Sequence, residues 1–341
     1  MNNIKLTAPT DIEVYIYLTR QQLGSKYSYW GQDMQLDAIN KRQKGFYVHP
    51  IAWYKEENAY TPHFKAFIKK GTEFAVDADS RFFWAPEIYL TKQAANEFDI
   101  CPQYDIVSNL VLEYAHSHDE FKNADGVHIG DFYMSDHTYV SPYEAVSNGS
   151  FKKEEVIGSV AFFDENDKPV IISHEHDCLL WTTKKADHSL DTTFPVIEYN
   201  KCESDMNGQK NFETLAQLDT YNPRQWPAMA YVLKYHPNGT SQGDWYIGSV
   251  GEYLKLQHTL HIINCAIFFA HITDLTLTEG TYGYCGYIGH SGTMTSTMHK
   301  CCIQSDGTYE IQPIAVYIGS DDTVPVTSDE KWWVRPLMKG K

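Results

Sequence analysis

The chain has 341 residues, of which 43% are hydrophobic and 21% charged, the composition of a folded protein of two or three domains and not of a disordered tail. Its 28 Lys and Arg against 44 Asp and Glu give a formal charge of -16, which excludes sequence-independent binding of a phosphate backbone as its main task. No apolar run reaches the roughly 20 residues that span a bilayer, and the opening stretch from Met1 to Pro9 lacks the apolar segment of a secretory signal, so a soluble protein with no nucleic acid partner and no membrane insertion is expected.

Aromatic residues make up 14% of the chain, with 24 Tyr. Amphipathic rings serve cores and contact surfaces, and the excess points to a binding protein. Ile12, Val14, Ile16 and Leu18 alternate with more polar residues, the period of a half-buried strand. Gln32 to Lys44 reads as a helix closed by Gly45, and Thr91 caps a second short helix through Phe98. Aromatic-rich strands are expected over Phe46 to Tyr54, Ala66 to Ile68, Phe82 to Tyr89 and Ile106 to Tyr114. Residues 1–120 therefore read as an α+β or β-rich domain, and the polar stretch from Ser117 to Gly126 as a boundary.

Strands at hairpin-like spacing follow over Val127 to Met134, Gly158 to Phe163 and Val170 to Ser173, the last two joined by the turn Asp164 to Pro169. Residues 121–204 thus form a small β meander, and residues 205–341 a third segment in which helix and Gly-rich loops are expected to dominate. Charge falls unevenly: residues 1–204 carry 19 basic and 31 acidic side chains, residues 205–341 only 9 and 13. Trp226-Pro227 starts a helix, Pro being favoured at the first helical position, and His236 to Gly239 ends it. The best-specified element is a single helix from Val250 to Ala270. Ser249-Val250-Gly251-Glu252 has the form of a capping box, and Leu256, Leu260, Ile263 and Ile267 form one stripe. His258 and His261 read as a solvent-facing pair on it.

Several blocks in order, Asp205-Met206-Asn207-Gly208, Pro227 to Tyr231, Gly243 to Glu252 and Val334-Arg335-Pro336-Leu337, resemble the DUF1566/Fib-succ-major type of module. That module has a C-type-lectin-like fold related to the formylglycine-generating-enzyme fold and is common in gut bacteria and their phages. Gly126 to Asp136 and Ile157 to Phe163 look like the segment that precedes such modules, so the resemblance covers roughly residues 123 to 341. It implies an α+β chain: an N-terminal β-rich attachment or oligomerisation domain, then a C-type-lectin-like domain with irregular Gly-rich loops. Where the family carries a Tyr-Trp-Ser-Ser-Thr-Glu stretch, this chain has Tyr282 to Ser291. In related proteins this late region is a ligand-contacting surface, in some cases diversified by retroelements. Tyr282 to Thr308 is rich in Gly, Ser, Thr, Tyr and His, a mixture suited to adaptable contacts. The contact residues implied are Tyr282, Tyr284, Tyr287, His290, Thr293, Thr295, His299 and Trp332. Asp244, Trp245, Ser249, Glu252 and Arg335 are assigned to scaffold.

Catalytic and metal chemistry find less support. Cys301 and Cys302 are adjacent and Cys285 is distant, poor geometry for one copper in an oxidase of the formylglycine-generating type. His174 and His176 form the most metal-like run, but two ligands do not make a structural zinc site. Gln312-Pro313-Ile314 is only a fragment of the calcium-lectin pattern. The seven cysteines, Cys101, Cys178, Cys202, Cys265, Cys285, Cys301 and Cys302, are expected to be reduced thiols without a disulfide framework. No cofactor and no enzymatic activity are expected. The reading is a virion protein of a phage (fibre, tail or head decoration) that presents the lectin-like module to a host receptor or glycan. Its partners would be other virion proteins and copies of itself, a trimer if it is a fibre. It would sit on the virion surface after assembly in the host cytoplasm, or alternatively on a bacterial cell surface. A purely structural virion component, or an oxidase or metalloprotein using Cys285, Cys301, Cys302 or the His174/His176 pair, is the competing reading.

Overall fold

The computed structural model describes residues 4–18, 49–50, 64–68, 70–76, 83–84, 98–102, 104–181, 196–217, 223–272, 289–303, 309–317, 323–326 and 331–341. It is a mixed α+β protein with several sheets that divides into two compact units, Met1–Ser117 and His118–Lys341.

In the first unit the alternating apolar residues of Ile12–Leu18 (β2) place it inside an antiparallel sheet, with strands β1 (Ile4–Thr7), β3 (His49–Pro50), β4 (Phe64–Ile68), β5 (Glu73–Val76), β6 (Phe83–Trp84) and β7 (Phe98–Pro102) around it. The orders are β3-β4-β2-β7 and β1-β5-β6. The helix expected over Gln32 to Lys44 lies outside the described residues, as does the one from Thr91 except for its last residue, Phe98, which opens strand β7. Ile106 to Tyr114 is not a strand but part of helix α1, Tyr104–Ser117. Its apolar run fits either period, and tertiary packing decides: Val107, Val111, Leu112 and Ala115 are buried, a stripe at spacings of three and four that an alternating strand cannot present.

The second unit starts from residues assigned above to two separate segments. Strands β8 (Phe132–Met134) and β9 (Tyr139–Val140) are followed by helix α2 (Pro142–Ser147), β10 (Val156–Phe163), β11 (Pro169–Ile172) and β12 (Asp177–Leu180). Helices α3 (Gly208–Ala216) and α4 (Pro227–Lys234), strand β13 (Trp245–Tyr246) and helices α5 (Val250–Gln257) and α6 (Leu260–Phe269) come next. The chain closes with β14 (Gly289–Ile303), β15 (Tyr309–Tyr317), β16 (Thr323–Pro325), β17 (Lys331–Val334) and β18 (Leu337–Lys339). One antiparallel sheet has the order β13-β18-β11-β10-β8-β9. The other has the order β12-β17-β14-β15-β16, with β14 and β17 parallel. Residues 121–204 are therefore no separate meander: β10 and β11 share a sheet with β13 and β18, and β12 shares the other with β14 to β17. Nor do helix and loop dominate after residue 205, because β14 and β15 form the longest hairpin of the described residues.

Helix α5 packs against β10 of one sheet and β14 and β15 of the other, so its buried face, Val250, Tyr253 and Leu256, joins the two. Much of the aromatic excess is used in this core. Tyr133, Tyr246, Tyr253, Trp181, Trp245 and Trp332 are fully buried, which explains that part of the composition without a ligand. The expected helix from Val250 to Ala270 is two helices, interrupted at His258 and Thr259. His258 is exposed and His261 buried, so they are not a solvent-facing pair. Cys178 is disulfide-bonded, a correction to the expectation of reduced thiols, since spacing along a chain does not say which sulfurs meet. Cys202 and Cys265 are free and buried.

Candidate functional site

The start of α5 is heavily hydrogen-bonded. The Glu252 carboxylate turns back to accept the Ser249 N–H at 2.8 Å, the reciprocal arm of the capping box. Its other oxygen accepts the Tyr246 hydroxyl at 3.0 Å. The Ser249 hydroxyl lies 2.6 Å from the Asp205 carbonyl oxygen and 2.9 Å from Glu252 Oε2, two acceptors for one proton. Glu252 is 4% exposed. Burial pushes its carboxyl above the usual range, against the pull of the Ser249 and Tyr246 donors.

Asp205 ties this cap to two further elements. Its carboxylate accepts Asn211 Nδ2 of α3 at 2.8 Å and the Thr297 hydroxyl of β14 at 2.7 Å, and its carbonyl also accepts the Gly251 N–H at 3.0 Å. Strand β14 bends to reach it. Between Met294 and Met298 the ladder with β15 slips, so that Thr295 to Thr297 face a single partner residue. The freed groups dock on α5: Ser296 N–H donates to the Gly248 carbonyl at 2.8 Å and Val250 N–H to Thr297 Oγ1 at 2.9 Å. Gly208 is a glycine because the Glu252 carboxylate and the Ser249 nitrogen, 2.5 Å from where its Cβ would stand, occupy that space.

Arg335 closes the other side. It is 3% exposed and donates from Nη1 to the His174 carbonyl at 3.2 Å and the Ser173 carbonyl at 3.4 Å, while its own carbonyl accepts the Tyr253 hydroxyl at 2.6 Å. Burial lowers its pKa to about 10, and the guanidinium stays charged at neutral pH. Trp245 is buried with Nε1 3.3 Å from Thr240 Oγ1, and Asp244 accepts the Ser241 N–H at 2.9 Å on a half-buried turn. All five residues assigned to scaffold therefore bond to neighbouring protein groups, four of them to backbone and Trp245 to the Thr240 hydroxyl.

The residues assigned to ligand contact fare differently. Thr293, Thr295 and Trp332 are buried, which corrects their assignment to a contact surface. Their strands are internal to the five-stranded sheet, and Thr295 Oγ1 is used in donating to the Ile314 carbonyl at 2.7 Å. Tyr282, Tyr284 and Tyr287 lie outside the described residues. His290 and His299 lie on β14, but their side chains are outside the described set.

His174 and His176 do not converge. His174 Nε2 pairs with the Ser159 hydroxyl at 2.7 Å, and the His176 ring packs edge-on against Trp333 at 4.6 Å. Burial, with Arg335 nearby, holds their pKa values down to about 3 and about 4, so both imidazoles are neutral at physiological pH. Ser159 sits fully buried in β10, beyond reach of a substrate.

The same network shapes an opening that sequence reasoning missed. A cleft of about 250 Å3 is lined by Glu252, by Met206, Asn207, Gln209, Lys210 and Glu213 at and before the start of α3, and by Glu165 and Lys339. Its residues come from four separate stretches, the β10–β11 turn, residues 206–213, α5 and β18; Asp205 to Gly208 and the capping box that ends in Glu252 are visible as motifs in the sequence, but nothing there shows that they meet Glu165 and Lys339. Comparison of the chain with protein-family models, with curated proteins and with solved structures gives no match.

Proposed function

We propose that the chain is a binding protein and not an enzyme, a virion or cell-surface component whose second unit is a C-type-lectin-like module that meets a host receptor or glycan. The observation that carries this reading is the use made of the reactive residue types. Asp205, Glu252 and Arg335, buried, and His174, half-buried, any of which could serve chemistry, are bonded to backbone, amide or hydroxyl partners. They hold a rigid frame. The Tyr- and Gly-rich stretch around Tyr282 to Tyr287 falls in the sequence between two parts of that frame, buried helix α6 and the central strand β14, a placement that suits contact residues carried by a fixed scaffold. The first unit then serves attachment or oligomerisation.

Antibodies raised against the second unit test this on purified phage particles that carry the protein. Labelling at exposed tips together with blocked adsorption to host cells is the expected result. Labelling along a regular capsid lattice without effect on adsorption would instead make the module an assembly surface.

A further inference from the structure

The cleft over Glu252 is preformed and lined by groups of both charges, and it has the donor and acceptor pattern of a sugar site. Its floor cannot collapse, because Gly208 has no room for even a methyl group and Glu252 is fixed by three hydrogen bonds. Lys210 and Glu213 of α3 line it together with Glu165, Lys339 and Glu252, so that ammonium and carboxyl groups are interspersed. A strongly charged ligand of either sign would meet its own sign there. The Asn207 amide donates one N–H to Asp205 at 3.3 Å and the Gln209 amide one to Glu213 at 3.0 Å, which leaves each a second N–H and its carbonyl oxygen to match hydroxyl groups that both donate and accept. Lys339 is 3.6 Å from Asp164, whereas the Lys210 ammonium has no ion pair among the described residues. The thioether of Met206, 38% exposed, supplies an apolar edge for the C–H face of a ring. A volume of about 250 Å3 is below the roughly 300 Å3 at which drug-sized pockets begin, so it suits one ring and not an oligosaccharide.

We propose that this cleft binds a single neutral sugar residue, without a metal ion, through Asn207, Gln209, Lys210 and Glu213. The site adds to the binding reading and does not involve Tyr282, Tyr284 or Tyr287, so the two can fail separately. The test is amide chemical-shift mapping on the full chain in the presence of a chelator, with the methyl glycosides of glucose, galactose, mannose and N-acetylglucosamine as probes and with acetate and phosphate as anion controls. At least one glycoside is expected to shift the amides of Gly208 to Asn211 saturably. The double variant Gln209→Ala/Glu213→Ala should weaken that binding about tenfold or more, as the loss of two hydrogen bonds requires. Both side chains lie on the outer part of α3, away from the Asp205 network, so the variant should fold with unchanged thermal stability. Binding should be untouched in Tyr282→Ala/Tyr284→Ala. The proposal is overturned if no glycoside moves those amides, if the shifts persist in the double variant, or if only the anions produce them. Glycoside binding lost in the tyrosine variant alone would overturn the cleft and leave the display surface standing.

Discussion

Glu252 is a buried acid that serves as an acceptor for one backbone N–H and two hydroxyl groups, and it is held in place by a glycine that faces it. Removing its carboxylate in Glu252→Ala strands the Ser249 N–H and the Tyr246 hydroxyl, each a desolvated donor. A loss of ~2–4 kcal/mol of stability is expected from leaving such groups unpaired. Gly208→Ala should cost at least as much, since a Cβ would press on both Ser249 and Glu252. Urea titrations should show both as a lower midpoint with an unchanged slope. An unchanged midpoint for either would mean that the network does not hold the second unit together. Only the local half of this arrangement was legible in the sequence. Ser249 and Glu252 are three apart and carry a known pattern, while the bond from Thr297 to Asp205 joins residues 92 positions apart. One Thr in a strand rich in Ser and Thr gives no sign of which acid it will meet.

Among the elements, the division of the expected long helix into α5 and α6 has a specific cause. The β10–β11 ladder slips between Val160 and Phe162, and the bulge leaves the Ala161 carbonyl to be satisfied elsewhere. The Thr259 hydroxyl lies 2.6 Å from it, and 2.9 Å from the Leu256 carbonyl at the end of α5. The helix stops where a side chain must serve a neighbouring sheet. The stripe of Leu256, Leu260, Ile263 and Ile267 continues through the break, which is why periodicity reports one helix. Thr259→Val keeps the shape and removes the donor, so it should cost ~1–3 kcal/mol with the two-helix geometry retained; a variant as stable as the parent would show that water or another group serves Ala161. The same kind of override turned Ile106 to Tyr114 into helix. By contrast β2, β10, β11, the Asp164 to Pro169 turn and the Pro227 helix were readable, because alternation, turn chemistry and an N-terminal proline are local signals.

At the scale of the molecule, both sheets of the second unit are built wholly from strands between residues 132 and 339. Residues 118–341 expressed alone are therefore expected to unfold in one cooperative transition, and a broad, non-cooperative melt would show that the boundary is misplaced. Acid should weaken this unit through its buried histidines. His261 is fully buried in α6, its Nε2 without a hydrogen-bond partner among the described residues, and burial lowers its pKa to about 4. Below the unfolded value near 6.5 the unfolded chain takes up a proton that the folded one refuses. Stability is then lost as pH falls from about 6.5 toward 4, by about 1.4 kcal/mol for each pH unit between the two values. Asp131 acts in the opposite sense, because burial raises its pKa to about 7 and the folded state keeps a proton that the unfolded one has released. Comparing His261→Phe with the parent at each pH isolates the histidine. The stability difference should shift in favour of the variant as pH falls through that window, and a pH-independent difference would exclude the linkage.

Strand β18 lies between β11 and β13 in its sheet, and Ile172 pairs with Leu337, 165 positions further on. At cellular synthesis rates of about 5–20 residues per second, the ribosome needs roughly 10–30 s to deliver the partner that β11 waits for. During that interval one edge of a strand composed of Pro169, Val170, Ile171 and Ile172 stays unpaired, the kind of edge that recruits stray strands and chaperones. Closure of this sheet belongs to the time after synthesis, and a nascent chain stalled before residue 337 would carry the exposed edge with it.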